Sequence, residues 1–451
     1  MANARQRPVE MELDELIARL PVRETLAVVT FLATRLWWLT SWPHPGGRPA
    51  EYFAAKALEG IDKHQLVYRD FVFEYPPLAW WWVAAPRWLD YRRVASNALS
   101  AEQASAFRAW TIGLFSLELF VADVACFVLL FFIGGRISAR ARWILPAAYA
   151  LVTMGQPRWI FDTLDIGLAM FFLAAIACWI KASEAEAGAH WALASYLLLG
   201  LGASYKIMPV FFLPFWLLAD WRAGTRVGTL AGRLAVFTTA AVGPFLLYVP
   251  AAGWKAFDVF RYHGERGINV ESTWGGVMLA GSWFGVPCEA IESHMACDLV
   301  GLLSTPFNIL ARLGPVAAMA ALLYWCWQCG ERFTRRLSID VAILLLLVNA
   351  VLANVYCLYY ANWLLPLALV LACDTFPPRW QNWTVLALWI VALVYLSDWV
   401  GLSDWIRKSD GPHLKLNPQI AVVSVMRSAC LVGVVATLGW AAKSRWQGLG
   451  R

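Results

Sequence analysis

Charge is scarce in this sequence. Asp, Glu, Lys and Arg make up 15% of its 451 residues, against about a quarter in a soluble domain. Hydrophobic residues make up 60% and the mean hydropathy is positive, so a soluble fold is excluded. The net charge of +6 is modest and its Lys and Arg are spread over connecting segments, which argues against nucleic acid as a partner. Zinc-ligand spacing, a glycine-rich nucleotide-phosphate loop and a nucleophile elbow are all missing. A clustered acidic metal site is missing too, so no cofactor is expected and a divalent metal is not indicated. No internal repeat or low-complexity tract is visible, and the longest polar segments are too short for a soluble domain. Nine cysteines do not make a framework. Cys326 and Cys329 form a lone Cys-x-x-Cys at a helix end, and Cys288 and Cys297 share one loop, where a disulfide is one reading.

What the chain has in quantity is apolar runs. Runs of about 17 to 25 residues match the hydrocarbon thickness of a bilayer. We read about twelve transmembrane helices, near 25–42, 109–133, 143–156, 163–181, 191–205, 208–220, 233–251, 306–329, 338–356, 360–375, 383–401 and 419–441. The fifth and sixth read as a pair broken around Lys206 to Pro209. The fold class is all-α, a polytopic integral membrane protein. Trp is abundant, at 27 residues, often near the ends of the runs, as in interfacial belts. Arg136, Arg140 and Arg142, then Arg222, Arg226 and Arg233, then Arg332, Arg335 and Arg336 all fall on one side. The positive-inside rule makes that side cytoplasmic, with both termini there. Residues 1–24 form a cytoplasmic leader, with an amphipathic helix over Val9–Leu20 that either lies on the membrane surface or is solvated. Residues 25–451 form a single transmembrane domain with a helical first outer loop (43–108) and a second large outer loop (252–305). The compact loops suit a bacterial inner membrane.

The stretch from Tyr68 to Leu78 reads Tyr-Arg-Asp-Phe-Val-Phe-Glu-Tyr-Pro-Pro-Leu. Two prolines cannot sit inside a helix, so they set a rigid bend before a helix beginning at about Leu78. The bend carries Asp70 and Glu74, flanked by Tyr68 and Tyr75, at the water–lipid boundary. A carboxylate on a rigid element can take a proton from a hydroxyl acceptor. Glu51, Asp70 and Glu74 are the candidates; Glu59 and Asp62 read as ordinary solvated acids. Charges in or beside spans usually have a task. Arg35 either binds a ligand or snorkels outward. Asp162 either closes a site or caps the fourth span. Lys206, between two apolar runs, either holds a lipid phosphate or snorkels. The segment Phe260–Gly276 sets Arg261, His263, Arg266 and Glu271 among aromatics. It suits phosphate forks and sugar stacking, or else a self-paired loop with Arg266 bridging Glu271.

Taken in order, these pieces resemble GT-C fold glycosyltransferases. They are most similar to the polyprenyl-phosphate-dependent glycosyltransferase family 87, which includes bacterial mannosyltransferases. The match covers most of the chain. It runs through Tyr68–Leu78, Phe161-Asp162, Lys206-x-x-Pro209 with Pro214, and Tyr262-His263 with Arg266-Gly267 and Glu271-Ser272. It ends at Tyr360 with Trp363 and Pro366. The resemblance implies inverting transfer of a sugar, mannose by analogy, from polyprenyl phosphate to a glycolipid or glycan acceptor at the extracytoplasmic face. A nucleotide sugar is cytoplasmic, so a donor used there has to be lipid-linked. Relatives place an Asp base upstream of the bend; the nearest equivalent is Glu51, beside Tyr52, with Asp70 as the alternative base. Glu for Asp is a departure, and so is Cys357-Leu-Tyr-Tyr360 where relatives carry Ser-Pro-Gln-Tyr. The implied ligand-binding set is Arg35, Glu74, Tyr75, Asp162, Lys206, His263, Arg266, Glu271 and Tyr360, with the bilayer as a further partner. Two other classes compete: a transporter or flippase for a lipid or small solute, and a non-catalytic subunit of an envelope-assembly complex. A transporter would show related halves and midplane charges, whereas the motifs here gather at one face.

Overall fold

The computed structural model describes residues 22–41, 48–94, 101–184, 188–293, 296–376, 380–398, 413–414 and 418–448. The expected helix at Val9–Leu20 and most of 402–418 lie outside them. In chain order the helices are α1 (Val22–Ser41), α2 (Arg48–Ile61), α3 (Pro77–Val94), α4 (Ala101–Ile137), α5 (Ala141–Thr153), α6 (Pro157–Asp162), α7 (Asp165–Lys181), α8 (Gly188–Tyr205) and α9 (Leu213–Arg222). They continue with α10 (Val227–Leu246), α11 (Val249–Ala252), α12 (Asp258–Glu265), α13 (Thr273–Ser282), α14 (Ser304–Gln328), α15 (Arg335–Leu352), α16 (Ala361–Thr375), α17 (Trp380–Asp398) and α18 (Pro418–Gly448).

Every apolar run read from the sequence carries a helix. Four described segments are long and apolar enough to cross a bilayer alone: Arg108–Ile137, Val227–Glu265, Ser304–Gln328 and Ala421–Gln447. The other helices are shorter, less apolar or more charged. The chain is an integral membrane protein. The α8–α9 connection is broken as expected: α8 ends at Tyr205, and a 3-10 turn (Met208–Phe212) with Pro209 precedes α9. Helix α8 packs on α7 and α10, α4 on α5 and α7, and α17 on α18. Glycine permits close approaches here: a Cβ on Gly200 would lie 2.5 Å from the Phe237 carbonyl oxygen of α10.

The first outer loop contains α2 and α3. Pro77 opens α3, where a missing N–H costs nothing. Asp62, read as a solvated acid, instead takes the Arg87 guanidinium bidentately, at 2.8 and 2.7 Å, stapling α2 to α3. Arg87 is fully buried, and an unpaired charge there would be costly.

The all-α expectation holds for most of the chain and is amended by a small sheet built from the second outer loop and residues 413–414. Strands β1 (Ile268–Asn269), β2 (Cys288–Ser293), β3 (Ala296–Gly301) and β4 (His413–Leu414) form an antiparallel sheet in the order β1-β3-β2-β4. Its register aligns Ile268, Leu299, Ala290 and Leu414 in one apolar row. The strands are too short to leave an alternating signature in the sequence. The same register sets Cys288 against Gly301 and Cys297 against Glu292, so the two thiols sit at opposite ends of the hairpin and are free.

Candidate functional site

The ends of the bundle differ. At one end, buried Asp220 of α9 accepts from Arg233, from Arg335 Nε and Nη2 at 3.1 and 2.8 Å, and from the Tyr196 hydroxyl at 3.0 Å. Asp374 takes both Arg336 and Arg445. Arg136 pairs with Glu184 at 2.7 Å and Arg142 with Glu24 at 2.9 Å. The arginine-bearing turns thus share one end. The other end gathers the bend, the α5–α6 turn, the α8 break, the segment after α12 and the turn before α16.

The bend is over-determined. Tyr68 is held at φ +69°, in the left-handed region that non-glycine residues rarely occupy. Its N–H donates to the Phe71 carbonyl at 3.0 Å and its hydroxyl to the Tyr75 carbonyl at 2.7 Å. Asp70 is absorbed by this turn: it accepts from the Leu66 N–H at 2.8 Å and pairs with Arg69 at 2.8 Å. Those bonds hold its carboxyl down to about 2, a weak position for a base.

Glu74 is the junction. Its carboxylate accepts from the Tyr52 hydroxyl of α2 at 2.5 Å, and its carbonyl lies 3.0 Å from Nε2 of His263 on α12. Burial raises the Glu74 carboxyl above its ordinary value, partly offset by the Tyr52 hydrogen bond. Glu51 stands one residue before Tyr52, exposed in the first turn of α2.

Next to Glu74, Tyr75 faces Lys206. The buried ammonium pairs with Asp165 Oδ1 at 2.7 Å and lies 4.2, 5.6 and 5.8 Å from the ring centres of Tyr360, Tyr359 and Tyr75. Three aromatic faces and one carboxylate hold a single cation where the α8 break delivers it. It does not snorkel.

Arg266 leaves α12 buried, with no partner for Nε among the described residues. Its carbonyl accepts from Asn354 Nδ2 at 2.9 Å, tying it to the turn before Tyr360. Cys357, Tyr360, Tyr359 and Tyr262 lie in its electrostatic range, and it weighs on Glu74. Glu271 is half-buried beside the Ser272 cap of α13, and its N–H donates to Asn269 Oδ1 at 2.8 Å.

The structure therefore brings together Glu74, Tyr75, Lys206, His263, Arg266 and Tyr360; Glu51 is exposed on α2 with no hydrogen bond or ion pair to them, and Glu271 lies one segment further on. Asp162 is buried at the C-terminus of α6 and does not cap α7, whose N-cap residue is Leu164. Arg35 is a correction. All five of its N–H groups are taken within the bundle: Asp123 bidentately at 2.9 and 2.7 Å, Thr34 and Thr153 at 3.0 and 2.9 Å, and the Ala150 carbonyl at 3.3 Å. It neither snorkels nor faces a ligand, because Asp123 of α4 compensates its charge in place.

Asp165, at the same outer apex as Asp162, is the partner of Lys206. Sequence reasoning missed other members of this end. Gln156 and Asn362 are fully buried, and neither side chain has a hydrogen-bond partner among the described residues. Arg427, inside the last apolar run, carried a signal that could have found it: an arginine within a span rarely lacks a task. No three His, Cys, Asp or Glu side chains come together as a metal-binding group among the described residues.

Three solved structures are similar to this chain. ArnT from Cupriavidus metallidurans bound to undecaprenyl phosphate is 15% identical with a TM-score of 0.46, over 93% of this chain and 78% of that one. The same protein in the apo state is 16% identical with a TM-score of 0.45, over 93% and 77%. The apo Archaeoglobus fulgidus oligosaccharyltransferase is 11% identical with a TM-score of 0.44, over 94% of this chain and 56% of that one. No family model and no curated protein matches the sequence.

Proposed function

We propose that this protein is a membrane glycosyltransferase. It moves a sugar, with mannose the first to test, from a polyprenyl-phosphate donor to a glycolipid or glycan acceptor at the extracytoplasmic face. The observation that carries this reading is the Lys206 site: a buried ammonium caged by three tyrosines, with Arg266 in electrostatic range of two of them, Tyr359 and Tyr360. Two fixed cations at the mouth of a membrane bundle suit the phosphate of a lipid ligand, and the tyrosine faces suit a sugar ring.

Glu51 takes the acceptor hydroxyl's proton. It is an exposed carboxylate one residue from Tyr52, which bonds Glu74, whereas Asp70 is neutralised by Arg69. The hydroxyl oxygen attacks the anomeric carbon opposite the lipid phosphate. The new glycosidic bond forms as the bond from carbon to phosphate oxygen breaks, with inversion. Charge growing on the leaving phosphate meets Lys206 and Arg266, with His263 alongside. Glu74 fixes α2 through Tyr52, which sets the position of Glu51.

The test is sugar transfer by the purified protein from polyprenyl-phosphate mannose, comparing wild type with Glu51→Gln and Asp70→Asn. Released polyprenyl phosphate and an inverted product are expected from wild type and Asp70→Asn, with turnover lost in Glu51→Gln. A retained anomeric configuration would sink direct displacement. Label carried across proteoliposomes without bond cleavage would make the protein a transporter. Neither transfer nor transport, across several lipid-linked sugars, would leave a non-catalytic assembly subunit.

A further inference from the structure

A second set of polar groups, on α18 and at Tyr356, is not used by the mechanism above. Arg427 of α18 is buried at 1% exposure. Its Nη2 donates to the main-chain carbonyl of Glu271. Its Nη1 has no hydrogen-bond partner among the described residues, nor has the hydroxyl of Tyr356, also 1% exposed. Arg427 is the charged group that weighs most on Tyr356. The setting is rigid: Ser424, one turn before Arg427, donates to the Val270 carbonyl at 2.7 Å, and Asn269 donates its N–H to the Asn354 carbonyl at 2.8 Å. Tyr356 in turn packs edge-on against Tyr360, at 5.8 Å between ring centres, and Tyr360 is the nearest face of the Lys206 cage.

Unmet donors in such a place are expensive. A guanidinium terminus with two free N–H groups needs a ligand rich in acceptors, and the Tyr356 hydroxyl, two residues past the Asn354 carbonyl that takes the Asn269 N–H, is a further unmet donor. Arg427 carries a full positive charge, and its one hydrogen bond among the described residues goes to a neutral carbonyl. A neutral sugar hydroxyl would leave that charge unmatched; a phosphate or carboxylate would match it.

We propose that Arg427 Nη1 and the Tyr356 hydroxyl form a second anion-binding position, separate from the Lys206–Arg266 position and taking a phosphate or carboxylate carried by the acceptor. The proposal rests on the glycosyltransferase reading for the identity of the first position. It predicts two anion sites on one protein, occupied together.

The experiment titrates the purified full chain in detergent with dioctanoyl phosphatidate, followed by tryptophan fluorescence, with and without saturating undecaprenyl phosphate. Dioctanoylglycerol is the neutral control and glycerol 3-phosphate the tail-free one. Phosphatidate should bind with its affinity changed less than about twofold by undecaprenyl phosphate, and dioctanoylglycerol should not bind. Tyr356→Phe, which leaves the Arg427–Glu271 contact intact, should weaken phosphatidate about tenfold. Arg427→Gln should weaken it further, and neither change should move undecaprenyl phosphate binding. Glycerol 3-phosphate binding as tightly would assign the position to a soluble anion; phosphatidate alone would assign it to a lipid headgroup. Either sustains the anion site. Competition between the two phosphates, equal binding of dioctanoylglycerol, or indifference to Tyr356→Phe would overturn it. If undecaprenyl phosphate fails to bind while phosphatidate does, the functional reading falls and the Arg427 position stands.

Discussion

The two ends of this bundle use buried charge in opposite ways. At the arginine-rich end the buried carboxylates are saturated: Asp220 takes two arginines and a tyrosine, and Asp374 takes two arginines. Arg35, within the bundle, is satisfied in the same manner by Asp123, two threonines and a carbonyl. At the other end the polar groups converge with capacity left over. Arg266 Nε, Arg427 Nη1, the Tyr356 hydroxyl and both amides of Gln156 and Asn362 are buried without partners among the described residues. A membrane interior penalises an unmet polar group heavily. The saturated carboxylates hold the helices together, and the open donors of Arg266 and Arg427 are available to a ligand.

The sharpest way to break that contrast is to separate loss of turnover from loss of fold. Glu51→Gln should lower transfer about 10² to 10⁴-fold, the usual weight of a general base, with the melting temperature unchanged. A parallel fall in melting temperature would return Glu51 to the structural class. Asp220→Ala should do the reverse. It leaves Arg233 and Arg335 facing an empty place, and should cost about 3–5 kcal/mol, read as early unfolding or aggregation in detergent. Wild-type thermal stability in this variant would dissolve the saturated end as a category.

Smaller effects sharpen the picture. Tyr52→Phe removes the hydroxyl that ties α2 to Glu74, and should lower transfer about tenfold through kcat, with donor KM unchanged. Glu74→Gln keeps an acceptor for Tyr52 but cannot ionise. A carboxyl raised in the folded state stabilises fully below its unfolded value, and that contribution fades as pH rises through the raised value. Melting curves from about pH 4 to about pH 8 should show wild type losing ground to Glu74→Gln as pH rises; parallel curves would remove Glu74 from the buried junction. Asp70→Asn, breaking only an exposed pair, should change turnover by less than about twofold.

The outcome for each candidate follows from what a chain can reveal locally. The bend was legible because proline acts on its own backbone: Pro76 and Pro77 end one conformation and Pro77 opens α3. The break at Lys206 to Pro209 was legible for the same reason. Arg35 was not, because its assignment depends on Asp123, 88 residues away in sequence. Asp62 was misjudged likewise, its partner Arg87 being brought close only by the turn between α2 and α3. The small sheet escaped notice because its strands are two to six residues long and one of them, β4, comes from more than a hundred residues beyond the outer loop.

The sequence by itself determined the membrane class, the places of the apolar helices, the side on which the arginines gather and the rigid bend. These follow from composition, from run length against bilayer thickness, and from proline's own geometry, all of which act within a few residues. Only the tertiary structure decided which buried charges are matched and which are left open. That Lys206 meets Asp165 and three tyrosines, that Arg35 is consumed by Asp123, and that Arg427 reaches the Glu271 carbonyl from the last helix are facts of packing. An ionisable side chain declares its charge in the sequence; its partner is set by where distant helices come to rest.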